Sequence, residues 1–395
     1  MLFLQDSPLS PAHATLDFQP GDTLFISPRS ALMTRGIAAE IIAPDVAALP
    51  ACARSLMDQA RSMGCWNAIM MGAIPFSRTS PARVFIPENQ RFMPTSTAAH
   101  ASDRRQKATT CMGVSMNPTP ARYCQLVADA VQAIEQGEFE KVVLSRSLTI
   151  EAELNLSKVL QTLARRNPQG YTFAVDLATE GKGYRTLVGS SPELLLSRRG
   201  HQVISNPLAG SLPRSLNPAE NLRRSQRLLA SAKDRHEHAL VVNSVADALR
   251  PFCRHLHVPD TPSVLATPSM LHLSTEIRGD LIDLNTSSLE IALALHPTPA
   301  VCGHATSSAR QFIEQHEGFD RGLFTGLVGW CNLDGDGEWA VTIRCAEVGD
   351  RFATLYAGAG IVAGSDPELE LAETTAKLRT MLGAMELDRV LGPTA

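Results

Sequence analysis

YTFAVDLATEGKGYRTLVGSSPELLLSRRGHQVIS, residues 171–205, is the stretch from which the fold is read. It holds four short runs rich in β-branched, aromatic and other apolar residues, at 171–175, 185–189, 193–197 and 201–205, parted by Gly, Ser and charged residues. Parallel neighbours need a crossover of a dozen or more residues, usually helical, and no helix-length segment intervenes here. Consecutive strands joined this way pair antiparallel.

Upstream, residues 121–135 are amphipathic at helical spacing, Gly137 breaks the pattern, and a strand starts with Lys141 and runs through 141–145. Downstream come a charged helix over about 217–249, strands at 326–330, 338–344 and 351–356, the glycine-rich GAGIVAG at 358–364, and a helix over 367–385. Strand runs and helix runs grouped in this way place the chain in the α+β class. Before residue 95, short strand-like runs at 23–26, 68–74 and 83–86 flank a helix-like stretch at 46–63. The polar, small-residue segment 94–120 reads as a long surface loop or joint. The expected organisation is an N-terminal part, 1–115, and a main part, 116–390, forming one compact unit.

The 395 residues are 44% apolar, enough for a large core, and the formal net charge of -4 supplies no field to hold a polyanion. Nucleic acid and anionic membrane surfaces are therefore excluded as expected partners. Eight cysteines lie scattered with no C-x-x-C pair, as reduced thiols in a cytoplasmic protein would. Neither a basic, apolar leader nor a run of 18 apolar residues is visible.

Chemistry concentrates in a few places. Glu370, Glu373 and Lys377 are three and four residues apart, so one helical face presents two carboxylates and an ammonium. On any helix such a triplet is more often a solvated ion-pair surface, but here it follows a glycine-rich turn that lets a ligand approach the backbone. Glu237, within KDRHEH at 233–238 and expected in the middle of a long helix, is a second acidic point. Glu237 and Glu373 could supply carboxylate oxygens from separate elements to a hard cation such as Mg2+. Zinc on His236, His238, His255 and His257 is disfavoured, because residues two apart on a helix point about 200° from each other. Gly358, Gly360 and Gly364 miss the dinucleotide fingerprint by one residue, and too few residues follow for the next strand. Lys141 and the SerProGlu turn ending in Glu193 are each compatible with a structural role. A lysine and a glutamate on either side of a substrate would make a base and an acid if burial shifted their proton affinities.

Taken together, KVVLSR (141–146), SPELL (191–195), NPLAGS (206–211), KDRHEH (233–238), HLSTEIRG (272–279), HPTPAVCG (296–303), FTGLVGW (324–330), TIRC (342–345), and AGAGIV (357–362) with ETTAK (373–377) resemble the chorismate-utilising enzymes over about residues 121–387. That resemblance implies two large packed antiparallel β-sheets surrounded by helices, with a pocket for chorismate and one Mg2+. It implies Glu237 and Glu373 as metal ligands and Glu370 in an outer role through water. Arg344, with backbone N–H groups of Gly358, Gly360 and neighbours, would meet the enolpyruvyl carboxylate, and Lys377 would stand near the ring carboxylate. Gly210, Ser211, Ala300 and His272 match substrate-lining positions, Ser211 keeping the hydroxyl of the threonine many relatives have.

Members that add ammonia carry glutamine where this chain has Lys141, and those that add water carry lysine there. The resemblance therefore implies Lys141 as general base for water attacking ring C2 and Glu193 as general acid for the departing C4 hydroxyl, giving isochorismate for siderophore or salicylate synthesis. Ala209 stands where aminodeoxychorismate synthases often carry a nucleophilic lysine. No glutamine amidotransferase partner is implied, and the chain is expected to be a monomer. Two alternatives share these residues, a salicylate synthase that goes on to eliminate pyruvate and a non-catalytic chorismate-binding protein. The segment 304–309, HATSSA, departs from the family pattern, which usually has a proline there.

Overall fold

The strand that begins at Lys141 runs to Glu151 and pairs antiparallel over its whole length with Phe352–Val362, Lys141 opposite Val362 and Glu151 opposite Phe352. A computed structural model of the chain describes residues 18–41, 43, 45–94, 109–178 and 184–392. Around that long pair a first sheet is built in the order Gly303–His304, Lys141–Glu151, Phe352–Val362, Cys345–Gly349, Arg185–Ser191, Tyr171–Asp176, Thr23–Ile26, Ser30–Arg35 and Asn89–Pro94, with Gly113–Asn117 also on Lys141–Glu151. A second sheet runs Cys253–His257, Ile277–Leu281, Gln202–Asn206, Leu194–Arg199, Gly337–Val341, Leu327–Asn332, Ile69–Ile74, Arg83–Ile86 and Ala39–Glu40. A small sheet of Leu208–Pro213, Met270–Ser274 and Ser263–Ala266 stands apart. Among the described residues the pairings are antiparallel throughout, but only two of the three connections within 171–205 join paired strands: Tyr171–Asp176 pairs with Arg185–Ser191 and Leu194–Arg199 with Gln202–Asn206, whereas the SerProGlu turn carries the chain from the first sheet to the second.

Why the runs read as strands is visible in the packing. Phe25, Phe173 and Leu187 of the first sheet meet Met71, Val328 and Ala340 of the second in a core between the two sheets. Their chain neighbours Leu24, Ala174 and Val188 point to the other face and pack with helices α3 (Leu156–Arg166) and α8 (Pro367–Ala384). Met70, Leu327 and Trp339 do the same on the far face of the second sheet, against α1 (Leu49–Ser62), α5 (Ala232–Leu249) and α6 (Ser288–Leu295). Both faces of each sheet are thus buried, which is why its strands are apolar at successive positions and not only at alternate ones. Helices α2 (Pro120–Glu135) and α7 (Thr306–His316) cover Val142, Leu144 and Ile361 at the edge that carries Lys141. The outcome is the expected α+β architecture of two large packed antiparallel sheets inside helices.

Three local expectations are corrected. The charged helix over 217–249 is two, α4 (Pro218–Ala230) and α5, because Ser231 is extended (φ -67°, ψ 116°) and its hydroxyl caps α5 by accepting from Asp234 N–H. Glu237 therefore sits in the second turn of α5, not mid-helix. The glycine-rich segment is mostly strand: Gly358 and Gly360 continue the eleven-residue strand Phe352–Val362, and the turn is confined to Ala363 and Gly364, where Gly364 has φ 78°. Arg344 lies beyond the strand Gly337–Val341, in a bend with φ 51°. The segment after Gly303 forms a two-residue strand opposite Lys141 and Val142 and then opens α7. Strands from residues 23–94 are members of both large sheets, Leu24 pairing with Ala174 and Ile74 with Leu327.

Candidate active site

Glu193, Gly210, Ser211, Glu237, His272, Ala300, Arg344, Gly358, Gly360, Glu373 and Lys377 line one cleft of about 620 Å3, measured out to its open mouth. Gly358 and Gly360 come from a strand of the first sheet, Gly210, Ser211 and His272 from the small sheet, Glu193 from just before Leu194–Arg199, Ala300 from a turn, Arg344 from its bend, Glu237 from α5, and Glu373 and Lys377 from α8. Lys141 and Glu370 sit just behind this lining. Lys141 is fully buried, and its Nζ lies 3.0 Å from Glu237 Oε1 in an ion pair whose angles are not those of a hydrogen bond.

Gly360 makes that approach possible. A Cβ there would stand 2.2 Å from Glu237 Oε1 and 3.0 Å from Lys141 Cε, so any side chain would push the carboxylate and the lysine off these positions. Across the ladder, Ser145 donates its N–H to Glu317 Oε1 at 2.7 Å and Val143 donates to the Cys302 carbonyl at 2.8 Å, both away from Phe352–Val362. Opposed residues of an antiparallel pair turn their polar groups both inward or both outward. Gly358, opposite Ser145, and Gly360, opposite Val143, therefore aim N–H and C=O outward, to the cleft. The Gly358 carbonyl there accepts from Lys377 Nζ at 2.8 Å.

Each acidic residue faces a lysine. Glu373 pairs with Lys377 at 2.6 Å, and Glu370, buried, pairs with Lys233 at 2.9 Å. Burial and then the nearby Glu373 push the Glu370 carboxyl up to about 6, against the pull of Lys233. The solvated-surface reading of the triplet on α8 is thereby set aside, since Glu370 is 4% exposed. Among the described residues no three His, Cys, Asp or Glu converge as a ready metal cage. The donor set still fits Mg2+, which is commonly held by one or two carboxylates with water and substrate oxygens completing its shell. Glu237 and Glu373 present carboxylates to the same cleft.

Glu193 is fully enclosed, and burial pushes its carboxyl up to about 7, outweighing the Leu208 N–H and the cations Lys141, Arg344 and Lys377 that pull it down. A carboxyl so placed holds a proton near neutrality, as a general acid must. His272 lies opposite Ser211 in the small sheet, and its Nε2 is 3.3 Å from Arg344 Nη2. Burial, then Arg344 and Lys377, hold His272 well below the usual range, so the neutral ring accepts from the guanidinium and aims it. Burial brings Arg344 down only to about 10, so it stays a cation. Gly210 adopts φ +71° at a register shift, with Asp234 of α5 against it.

The sequence reading missed Val301, Phe324, Thr325, Ile343 and Tyr356, which also line the cleft. The first four lie inside the HPTPAVCG, FTGLVGW and TIRC blocks and could have been taken with them. It also missed Lys233, although that residue opens the KDRHEH block.

Residues 76–386 match the family model described as chorismate binding enzyme. The chain belongs to the chorismate-binding enzymes. It is 47% identical to isochorismate synthase DhbC of Bacillus subtilis (strain 168), covering 96% of this chain and 97% of that one. It is 44% identical to the vibriobactin-specific isochorismate synthase of Vibrio cholerae, over 86% of this chain and 85% of the other. The crystal structure of the Bacillus anthracis protein assigned as a 2,3-dihydroxybenzoate-specific isochorismate synthase, DhbC, superposes with a TM-score of 0.90. That match is at 45% identity and covers 95% of this chain and 99% of that chain. Among the described residues no helix is long and apolar enough to cross a membrane.

Proposed function

We propose that this chain is an isochorismate synthase, which adds water at ring C2 of chorismate and releases the C4 hydroxyl, for use in siderophore synthesis. The carrying observation is Glu193, a carboxyl raised to about 7 in the same cleft as Arg344 and Lys377 and in electrostatic contact with Lys141. Hydroxide is a poor leaving group, so its departure needs a proton donor that is still protonated near neutral pH. Glu193 is that donor. Lys141, at the head of its strand, is the base that takes a proton from the attacking water.

Chorismate carries two carboxylates, and the cleft holds separate partners for them. The enolpyruvyl carboxylate is bound by Arg344, aimed by His272, and by the outward N–H groups of Gly358 and Gly360. Lys377 faces the ring carboxylate, while Gly210, Ser211 and Ala300 shape the wall around the ring. Mg2+ would be held by Glu237 and Glu373, with Glu370 and its Lys233 behind, and when bound it would neutralise the ring carboxylate. Because water and not ammonia is the nucleophile, the reading requires no glutamine amidotransferase subunit. A cytoplasmic setting is supported by cysteines that are all free, four of them buried.

The test is to incubate the purified chain with chorismate and Mg2+, without ammonia, and to separate products by liquid chromatography with mass detection. A Mg2+-dependent product isobaric with chorismate but eluting apart is expected. Salicylate with pyruvate would replace the reading by a salicylate synthase, and no turnover would replace it by a chorismate-binding protein.

A further inference from the structure

Arg321 and Glu317 form an ion pair that is 3% and 2% exposed and is not hydrogen-bonded or ion-paired to any of the groups named above as acid, base or metal ligand. We infer that this buried pair is a positioning device, which sets where Lys141 and the 298–302 wall stand relative to the substrate. The inference rests on the isochorismate synthase reading for its kinetic consequence, and on geometry alone for its structural one.

All five guanidinium N–H groups of Arg321 are used. Nε and Nη2 donate to the two Glu317 oxygens, the Nε contact at 2.8 Å. Nη1 donates to the Val301 carbonyl at 2.8 Å and to Thr325 Oγ1 at 3.3 Å, and the second Nη2 hydrogen donates to the Val143 carbonyl at 2.7 Å. Glu317 Oε1 in turn accepts from Ser145 N–H at 2.7 Å. Val143, Val301 and Thr325 each line the cleft, and each comes from a different segment: the strand that starts at Lys141, the HPTPAVCG block, and the FTGLVGW block. Thr325 has φ 61° and its N–H donates to Thr342, which ties in the bend that leads to Arg344. The guanidinium also lies 4.6 Å from the ring centroid of Phe76, which packs it from a further element. One planar fork thus joins three wall segments, two of which are also linked by the Val143 N–H donating to the Cys302 carbonyl at 2.8 Å.

A point charge cannot do this. Lysine has three rotatable donors and no planar fork, so Arg321→Lys keeps the charge and abandons at least two of the five bonds. Val143 is two residues from Lys141, so slack in this clamp passes directly to the base. Misplacement of reacting groups by about 1 Å is enough to cost on the order of 100-fold in rate.

The experiment compares Arg321→Lys and Glu317→Gln with Arg198→Lys, a buried arginine that donates to the Asp334 and Leu284 carbonyls and does not line the cleft. Thermal melting, kcat and KM for chorismate, and amide hydrogen exchange by mass spectrometry are measured on each. For Arg321→Lys the expected result is a kcat lowered at least about tenfold with KM changed less than about threefold. Exchange is expected to quicken in peptides covering 141–146 and 298–303 and to stay unchanged at 253–257. Glu317→Gln, which keeps an acceptor for Ser145, is expected to move both readouts in the same direction by less. Arg198→Lys is expected to lower the melting temperature only. If Arg321→Lys and Glu317→Gln behave like Arg198→Lys, with kcat and local exchange intact, the pair is merely structural and the inference falls. If the wild type does not convert chorismate, the functional reading fails by itself, and the exchange data alone decide whether the clamp holds the wall.

Discussion

Replacing Glu193 by glutamine should change how stability depends on pH, in a direction and by an amount that the site dictates. In the unfolded chain this carboxyl titrates near 4.5, and in the folded protein near 7. Below 4.5 it is protonated in both states and contributes no difference. Between the two values the folded protein holds a proton that the unfolded chain has lost, so stability falls as pH rises, by about 1.4 kcal/mol for each pH unit. Above 7 both states are ionised, and the accumulated loss is about 3 kcal/mol. Glutamine does not titrate, so Glu193→Gln should match the wild type below about pH 4 and be the more stable protein by about 3 kcal/mol at pH 8.5. Denaturant unfolding of both proteins over that range measures it, and groups such as Glu370 and Asp234 that titrate in both proteins cancel in the difference. The same group predicts kinetics. The wild-type kcat/KM for chorismate should decline above an apparent pKa near 7, and the glutamine variant should lose about 100-fold to 10,000-fold in kcat as expected for a missing acid. Parallel stability curves for the two proteins would mean that Glu193 is ionised at neutral pH, and its role as proton donor would be refuted.

Further outcomes follow from other contacts. Gly360→Ala puts a methyl 2.2 Å from Glu237 Oε1, and since moving that carboxylate and Lys141 by about 1 Å is enough, kcat should fall on the order of 100-fold while the circular dichroism spectrum stays that of the wild type. Glu370→Gln should raise the Mg2+ concentration for half-maximal turnover about 10-fold to 100-fold, as loss of an outer partner does, and Glu373→Gln should raise it further; equal effects would remove the distinction between inner and outer carboxylates. Arg344→Lys should raise KM for chorismate about tenfold or more with a smaller effect on kcat, read from initial rates, because the planar fork held by His272 is lost. Lys141→Ala should abolish water addition with the fold retained, and normal turnover in that variant would overturn its assignment as base.

The fold was legible because strand propensity and burial agree. The runs at 23–26, 83–86, 171–175 and 185–189 are strands in place, since each supplies apolar side chains to both faces of a buried sheet. Where the reading failed, a local preference had been overridden. Glycine disfavours strands, yet Gly358 and Gly360 stay in one because an eleven-residue ladder with Lys141–Glu151 outweighs their individual cost. The break at Ser231 was missed because good helix formers stand on both sides and neither Gly nor Pro marks the end. The available signal was the capping pattern itself, Ser231 with an acid at Asp234. The residues that line the cleft were found through ordered motifs, whose polar types at fixed places announce chemistry.

The supporting layer was not found, and the reason is physical. Arg321 four residues after Glu317 reads as an ordinary exposed i,i+4 pair at a helix end, and only the fold shows it sealed beneath the cleft. A buried ion pair rarely adds net stability over apolar residues of similar volume, because desolvation of both charges offsets their attraction. Its retention here at a point where three wall segments meet is therefore better explained by geometry than by stability: apolar side chains could fill the space, but they could not fix the Val143, Val301 and Thr325 backbone segments by directed bonds. The same logic separates the lysines. Lys141, Lys233 and Lys377 look alike in sequence, and what distinguishes them is which carboxylate each one faces and how much water each one has lost.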